Sequence, residues 1–214
     1  MYPENTLVAI RRSLSHVDGI EVDVRRCASG ELVVFHDDRL DRVTDGSGLV
    51  AETSWDELRR LTIDGSGAKI PRLEDVIDAV PDTHRLVVEL KELAVATDAC
   101  ALLTDAPQDV LVQSFLPPAI AAANRVAPEL QTGLLARAGA DLSVMAAAAS
   151  NLECQFVNPH YAACLDGDAT DRLHDAGFTV YAWTIDGPDP VADLLARNVD
   201  GLIVDRWDVL EEAG

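Results

Sequence analysis

A β/α barrel of the TIM type is the fold this sequence predicts, and three observations carry the prediction. Short β-rich runs alternate with stretches of helical period along the whole chain, the pattern produced by parallel strands and their crossover helices. One connection is too short for a crossover and requires an antiparallel hairpin. Acidic residues also recur at alternate positions of two apolar runs, so that one face of each strand gathers them together.

The chain opens on a helical stretch at 5–14 with no strand before it. The β-rich runs fall at 19–24, 31–36, 85–91, 109–115, 131–136, 155–159, 178–185 and 200–205. Helical period fills most of the intervals, at 92–104, 118–126, 142–149, 169–176, 190–197 and 207–212. Between Val24 and Leu32 lie only seven residues, among them the turn-forming Ala28, Ser29 and Gly30. A parallel crossover needs about a dozen residues or more, so these two strands pair as a hairpin. Seven runs remain for the barrel, one short of the eight in a closed one. The first strand is therefore expected to be missing, which leaves two unpaired edges.

Length and composition narrow the class. At 214 residues the chain suits one well-buried domain and is short for two. The 48% hydrophobic content marks an ordered protein, and no apolar run approaches the ~20 residues of a membrane span. Met1 to Thr6 lack the basic and apolar regions of a secretory signal. Cys27, Cys100, Cys154 and Cys164 are widely spread, with no C-x-x-C spacing. That favours reduced thiols in a cytoplasm over a disulfide scaffold or a zinc site. Seventeen basic against thirty-seven acidic residues give a net charge of −20, a field that repels nucleic acid and anionic membrane surfaces. Carboxylates spread along the chain repel one another, and salt relieves this, with a Debye length of about 3 Å at 1 M. The balance reads as adaptation to a salty cytoplasm, with ordinary acidity as the alternative. Only Lys69 and Lys91 are lysines.

The chemistry concentrates in the first half. In the run 19–24, Ile20, Val22 and Val24 share one face, Glu21 and Asp23 the other. With the apolar face on the helices, both carboxylates turn into the barrel, where unpaired charge is costly and a cation relieves it. Folding the hairpin about Ala28 and Ser29 sets His36 opposite Glu21 and Val34 opposite Asp23, residues on one face and ~4.5–5.5 Å apart. In the run 85–91, Glu89 and Lys91 share a face at the C-terminal end of a strand, where barrels place their active sites. Three carboxylates are hard oxygen ligands suited to Mg²⁺ or Ca²⁺, and Lys91 adds a positive charge for a phosphate oxygen. Gly65-Ser66-Gly67-Ala68-Lys69 lacks the spacing of a Walker loop. Tyr181 and Trp183 share a face of a later run, so Trp183 can wall a small polyol or fill the core. His160 reads as a loop residue, and His16, His84 and His174 have no supporting context.

Taken together, these residues resemble the glycerophosphodiester phosphodiesterases over nearly the whole chain. Pro3-Glu4-Asn5-Thr6 resembles the family's P-E-N-T helix start and Ile20-Glu21-Val22-Asp23 its metal-binding strand. The segment from His36-Asp37 through Leu40, Arg42, Thr44, Gly46 and Gly48 is similar to its histidine segment. Ile70-Pro71 with Leu73 resembles the end of its short insertion, placed here at about 37–84 of a single domain spanning 1–214. Glu89-Leu90-Lys91 is similar to its third ligand strand and Trp183-Thr184 to its late tryptophan.

The resemblance implies a barrel of the phospholipase-C-like phosphodiesterase type, with a divalent cation, Mg²⁺ or Ca²⁺, on Glu21, Asp23 and Glu89. It implies hydrolysis of a small glycerophosphodiester to glycerol 3-phosphate and an alcohol. His36 becomes one of two acid–base histidines, with Lys91 and Trp183 on the substrate. The second histidine belongs to an H-R-G motif on the first strand, absent from the chain as written, and Val204-Asp205 stands where the family usually has Thr-Asp. Three readings follow: an active phosphodiesterase whose start lies upstream, a barrel that binds metal or phosphoester without turnover, and another Mg²⁺-dependent barrel enzyme. The hairpin-borne His36 argues against the last.

Overall fold

Period-two runs of Val, Ile and Leu become strands that pack one face on helices and turn the other into a barrel. The computed structural model describes residues 2–212. Its first half contains α1 (Leu7–Ser13), β1 (Gly19–Arg26), β2 (Leu32–Val34), α2 (Trp55–Leu58), α3 (Leu73–Ala79), β3 (Arg85–Leu90) and α4 (Ala96–Leu103). There follow β4 (Asp109–Ser114), α5 (Pro117–Val126), β5 (Gln131–Ala136), α6 (Leu142–Asn151), β6 (Phe156–Pro159), α7 (Tyr161–Cys164) and α8 (Ala169–Asp175). The chain ends with β7 (Tyr181–Ile185), α9 (Val191–Ala196), β8 (Gly201–Val204) and α10 (Asp208–Glu212).

The β/α barrel is as expected. Strands β1, β3, β4, β5 and β6 run parallel in that order, with β2 antiparallel on β1. Parallel β7 and β8 continue the circuit, joined to β6 through bridges at Phe156–Thr179 and His160–Trp183. Among the described residues no ladder joins β8 to β1, so the barrel has one open seam. Over that seam the rings of His16 and Trp207 stack at 3.7 Å.

Burial follows the strand period. Ile20, Val22 and Val24 pack with Leu86, Val88 and Leu90 against α3, α4 and α5. Val157, Val180 and Ala182 do the same under α6, α8 and α9. Inside the barrel Val87, Leu111 and Phe156 form a small apolar layer. Tyr181 lies across Gly201, where a Cβ would come within 2.6 Å of its ring. Between β2 and α3, Phe35, Leu40, Val43, Val50, Leu58 and Ile63 build a separate small core. Burial at ~25 cal/mol per Å² of apolar surface is the dominant stabilising term in each cluster.

The hairpin departs from the expected register by one residue. Val24 faces Val34 and Arg26 faces Leu32, so the continuation would set Phe35, not Val34, against Asp23. Cys27 and Glu31 close the turn by an N–H···O bond of 3.0 Å, and Gly30 sits inside it at φ 103°. That is a three-residue loop with glycine in the left-handed region, rather than a two-residue turn on Ala28 and Ser29. The helices α2, α3 and α7 also lie outside the predicted set. For α3 the signal was present: Leu73 and Val76 at helical spacing, opened by an Arg72–Asp75 capping box.

Candidate active site

Strand register assembles the acidic centre. Asp23 on β1 lies beside Glu89 on β3, and Glu89 beside Gln113 on β4. These are inward positions at the C-terminal ends of parallel strands, where a barrel opens to its substrate. Glu21, one turn of the pleat below Asp23, completes the group. One carboxylate oxygen from each of Glu21, Asp23 and Glu89 lies within 4.8 Å of the others. Asp23 and Glu89 are 5% and 7% exposed, so their charges have little water to lean on.

Lys91 supplies the compensation. Its Nζ sits 2.8 Å from Asp23 Oδ1 and 2.8 Å from Glu89 Oε1, with only a tenth of the side chain exposed. Burial pushes the Lys91 ammonium down, but Asp23 and Glu89 outweigh it and hold it above the ordinary lysine range. Burial, then Asp23 and Glu89, push the Glu21 carboxyl well above the usual range, and burial raises Glu89 as well. The pocket is thus short of positive charge even with Lys91 in it. A hard divalent cation fits such a donor set.

Further polar residues hold the ligands in place. Asn5 Nδ2 donates to Asp23 Oδ2 at 2.7 Å, while Asn5 Oδ1 accepts the Asp23 N–H at 3.1 Å. Gln113 Nε2 donates to Glu21 Oε1 at 3.3 Å, and Asn158 Nδ2 donates to Gln113 Oε1 at 2.8 Å. Asn158 Oδ1 in turn accepts the Tyr181 N–H at 3.1 Å. This polar thread crosses β4, β6 and β7 with Gln113 and Asn158 almost fully buried. Sequence reasoning missed Asn5, Gln113 and Asn158. The last two carried a signal, a lone amide at an inward position of an apolar strand.

His36 reaches the site by a different route from the one expected. Because β2 stops at Val34, His36 lies on the segment leaving it, with its C=O held by Arg25 Nε and Nη2 at 3.0 and 2.9 Å. It lines the same cavity as Glu21, Asp23, Glu89 and Lys91, about 990 Å³ in volume. Its Nδ1 lies 2.7 Å from Asp37 Oδ1.

Trp183 lines the same cavity. Its Nε1–H donates to Asn158 O at 2.7 Å, and its ring meets Phe115 edge-on at 5.1 Å. His160 caps α7 by accepting the Ala162 N–H and also contacts the Trp183 ring. Asp205, at the end of β8, lines the cavity, its carboxyl raised by burial and then by Asp186 and Glu4. His16 stacks on Trp207 and lines the same cavity, while His84 bonds Leu14 O and His174 bonds Asp200 outside it. Lys69 donates to Arg60 O.

A parallel barrel with carboxylates, a lysine and a histidine around one strand-end cavity defines a class of barrel enzymes that work on anionic substrates. The chain belongs to the glycerophosphoryl diester phosphodiesterase family, whose model matches residues 1–209. It is 29% identical to a glycerophosphodiester phosphodiesterase of Caldanaerobacter subterraneus subsp. tengcongensis, over 97% of this chain and 90% of that one. A probable glycerophosphodiester phosphodiesterase 1 of Mycobacterium tuberculosis is 32% identical, over 86% of this chain and 77% of the other. Among solved structures, an Oleispira antarctica phosphodiesterase in complex with the product sn-glycerol-3-phosphate superposes with a TM-score of 0.88. It is 26% identical and aligned over 99% of this chain and 91% of that one.

Proposed function

We propose that the chain hydrolyses small glycerophosphodiesters to glycerol 3-phosphate and an alcohol, as one domain over residues 1–214 with the insertion at about 37–84. The observation that carries this reading is the convergence of Glu21, Asp23 and Glu89 within 4.8 Å at the barrel mouth, in a chain of this family. Glu21, Asp23 and Glu89 are the residues to hold Mg²⁺ or Ca²⁺. Oxygen-only donors support that choice over softer metals, and the Lys91 ammonium already stands where positive charge is required. When bound, a divalent cation polarises the phosphoryl oxygens and stabilises charge developing on them.

The chain's own residues do the rest. Lys91 neutralises a non-bridging phosphoryl oxygen. His36 transfers a proton to or from the alkoxide oxygen, a role worth ~10²–10⁴-fold in general acid–base catalysis. Trp183 offers an apolar wall to the polyol. Four buried free thiols support a reducing, cytoplasmic setting, and no described helix is long and apolar enough to cross a membrane.

The test is release of glycerol 3-phosphate from glycerophosphocholine by metal-depleted protein reloaded with Mg²⁺ or Ca²⁺. Glu21→Ala and Glu89→Ala should each abolish the cation-dependent rate, and full activity in either would overturn the ligand assignment. Binding without turnover is the second reading. It is favoured by the open seam between β8 and β1, where among the described residues no ladder closes the barrel. Cation binding by calorimetry with no product under any loading would establish it.

A further inference from the structure

His36 is exposed over half its side chain, and an imidazole free to rotate and to choose its tautomer is a poor proton-transfer group. Its surroundings remove both freedoms. Asp37 Oδ1 lies 2.7 Å from Nδ1. Arg42 grips the same carboxylate with two prongs, Nε to Oδ2 at 2.6 Å and Nη2 to Oδ1 at 3.1 Å. Arg42 Nη2 also pairs with Glu4, in the turn that opens α1. The Arg42 hydrogen bond and, after it, the bond to His36 hold the Asp37 carboxyl down to about 2. An ionised carboxylate only accepts hydrogen bonds, so Nδ1 must carry the proton and Nε2 is left as the exchanging nitrogen.

We infer that Asp37 and Arg42 are positioning residues for His36, with Glu4, in the turn that opens α1, as their anchor. This deepens the reading above and rests on it for the role of His36. The line of contacts runs from the strap that leaves β2 to the turn before α1, so the ring is braced against a different element from the one that bears it. Arg42 suits the task because its planar fork spans both Asp37 oxygens while Nη2 also reaches Glu4, a fixed geometry that a lysine ammonium lacks.

Two measurements test it on the full chain. The first needs no turnover: long-range ¹⁵N–¹H spectra of the histidine rings. Neutral His36 should appear as the Nδ1–H tautomer in wild type and shift toward Nε2–H in Asp37→Asn, with Arg42→Gln between them. Identical spectra in all three would overturn the proposal. The second is a mutant cycle on glycerol 3-phosphate release at saturating cation. Asp37→Asn should lower kcat by about tenfold or more with little change in KM, the pattern of an acid that orients a histidine. Arg42→Gln should follow it, Arg42→Lys and Glu4→Gln should lose less, and cation affinity should stay at the wild-type value in all four. In a His36→Gln background each should cost less than about twofold, because residues that act as a unit are non-additive. Full multiplicative losses in that background would overturn the positioning role while leaving His36 intact. Wild-type kcat in His36→Gln itself would instead overturn the role of His36.

Discussion

Asn5 grips Asp23 at two points, donating from Nδ2 to the carboxylate at 2.7 Å and accepting the backbone N–H at Oδ1 at 3.1 Å. The turn before α1 thereby fixes both the side chain and the local backbone of a metal-ligand candidate. Thr6 next to it caps α1 by accepting the Ala9 N–H, so the short Pro3–Thr6 segment starts a helix and braces the site at once.

Asn5→Ala should therefore weaken Mg²⁺ or Ca²⁺ binding by about 10–100-fold, the usual cost of losing a residue that orients a ligand. Titration calorimetry measures it. Wild-type affinity would mean that Asp23 is held well enough by the strand alone.

Lys91→Met removes the one ammonium between Asp23 and Glu89. Breaking a buried pair from one side costs about 3–5 kcal/mol, and urea unfolding of the metal-free protein should show a loss of that order. Added cation should then raise Tm more in Lys91→Met than in wild type, since it meets carboxylates with no ammonium between them. An equal rise in both proteins would count against a shared pocket.

The raised Glu21 and Glu89 carboxyls set a pH dependence. With their folded pKa values above the unfolded ones, the native state holds protons that the unfolded chain has released. Their contribution is fully present below the ordinary glutamate range and is lost as pH rises through the elevated folded values. Metal-free protein should lose Tm over that window, bound cation should cancel the loss, and Glu21→Gln should flatten it. A metal-free Tm that climbs through the same window in wild type and in Glu21→Gln alike would refute this account.

Trp183→Phe keeps an aromatic ring near Phe115 but deletes the bond to Asn158 O. The loss should be about 0.5–1.5 kcal/mol of stability. KM for the glycerophosphodiester should rise with kcat nearly unchanged, as expected of a wall that contacts substrate and transition state alike. A fall in kcat at constant KM would move Trp183 into the reacting machinery.

Much of this was legible in the sequence because strands announce themselves by period. All eight runs coincide with observed strands to within a few residues, and the shared faces of Glu21 with Asp23 and Glu89 with Lys91 follow from period two alone. The hairpin register did not, because one residue in a turn decides it and Gly30 took that place. The turn and strap residues Glu4, Asn5, Asp37 and Arg42 carry no periodicity. Their partners lie up to thirty-eight positions away in the chain, and only the fold brings them together.

The open seam has a dynamic consequence. Arg85 N–H donates to Asp18 O and Lys91 N–H to Val24 O, so the even positions of β1 turn their backbone groups toward β3. Odd positions face the other way, where Asp23 finds Asn5 and Phe35 and Glu21 finds the seam. Neighbouring amides of one strand should therefore exchange with deuterium at very different rates, fast at Glu21 and slow at Ile20 and Val22. Opening of this barrel is therefore expected to begin at the His16–Trp207 contact, on the cavity that holds the carboxylates, rather than at the far wall of β4 and β5.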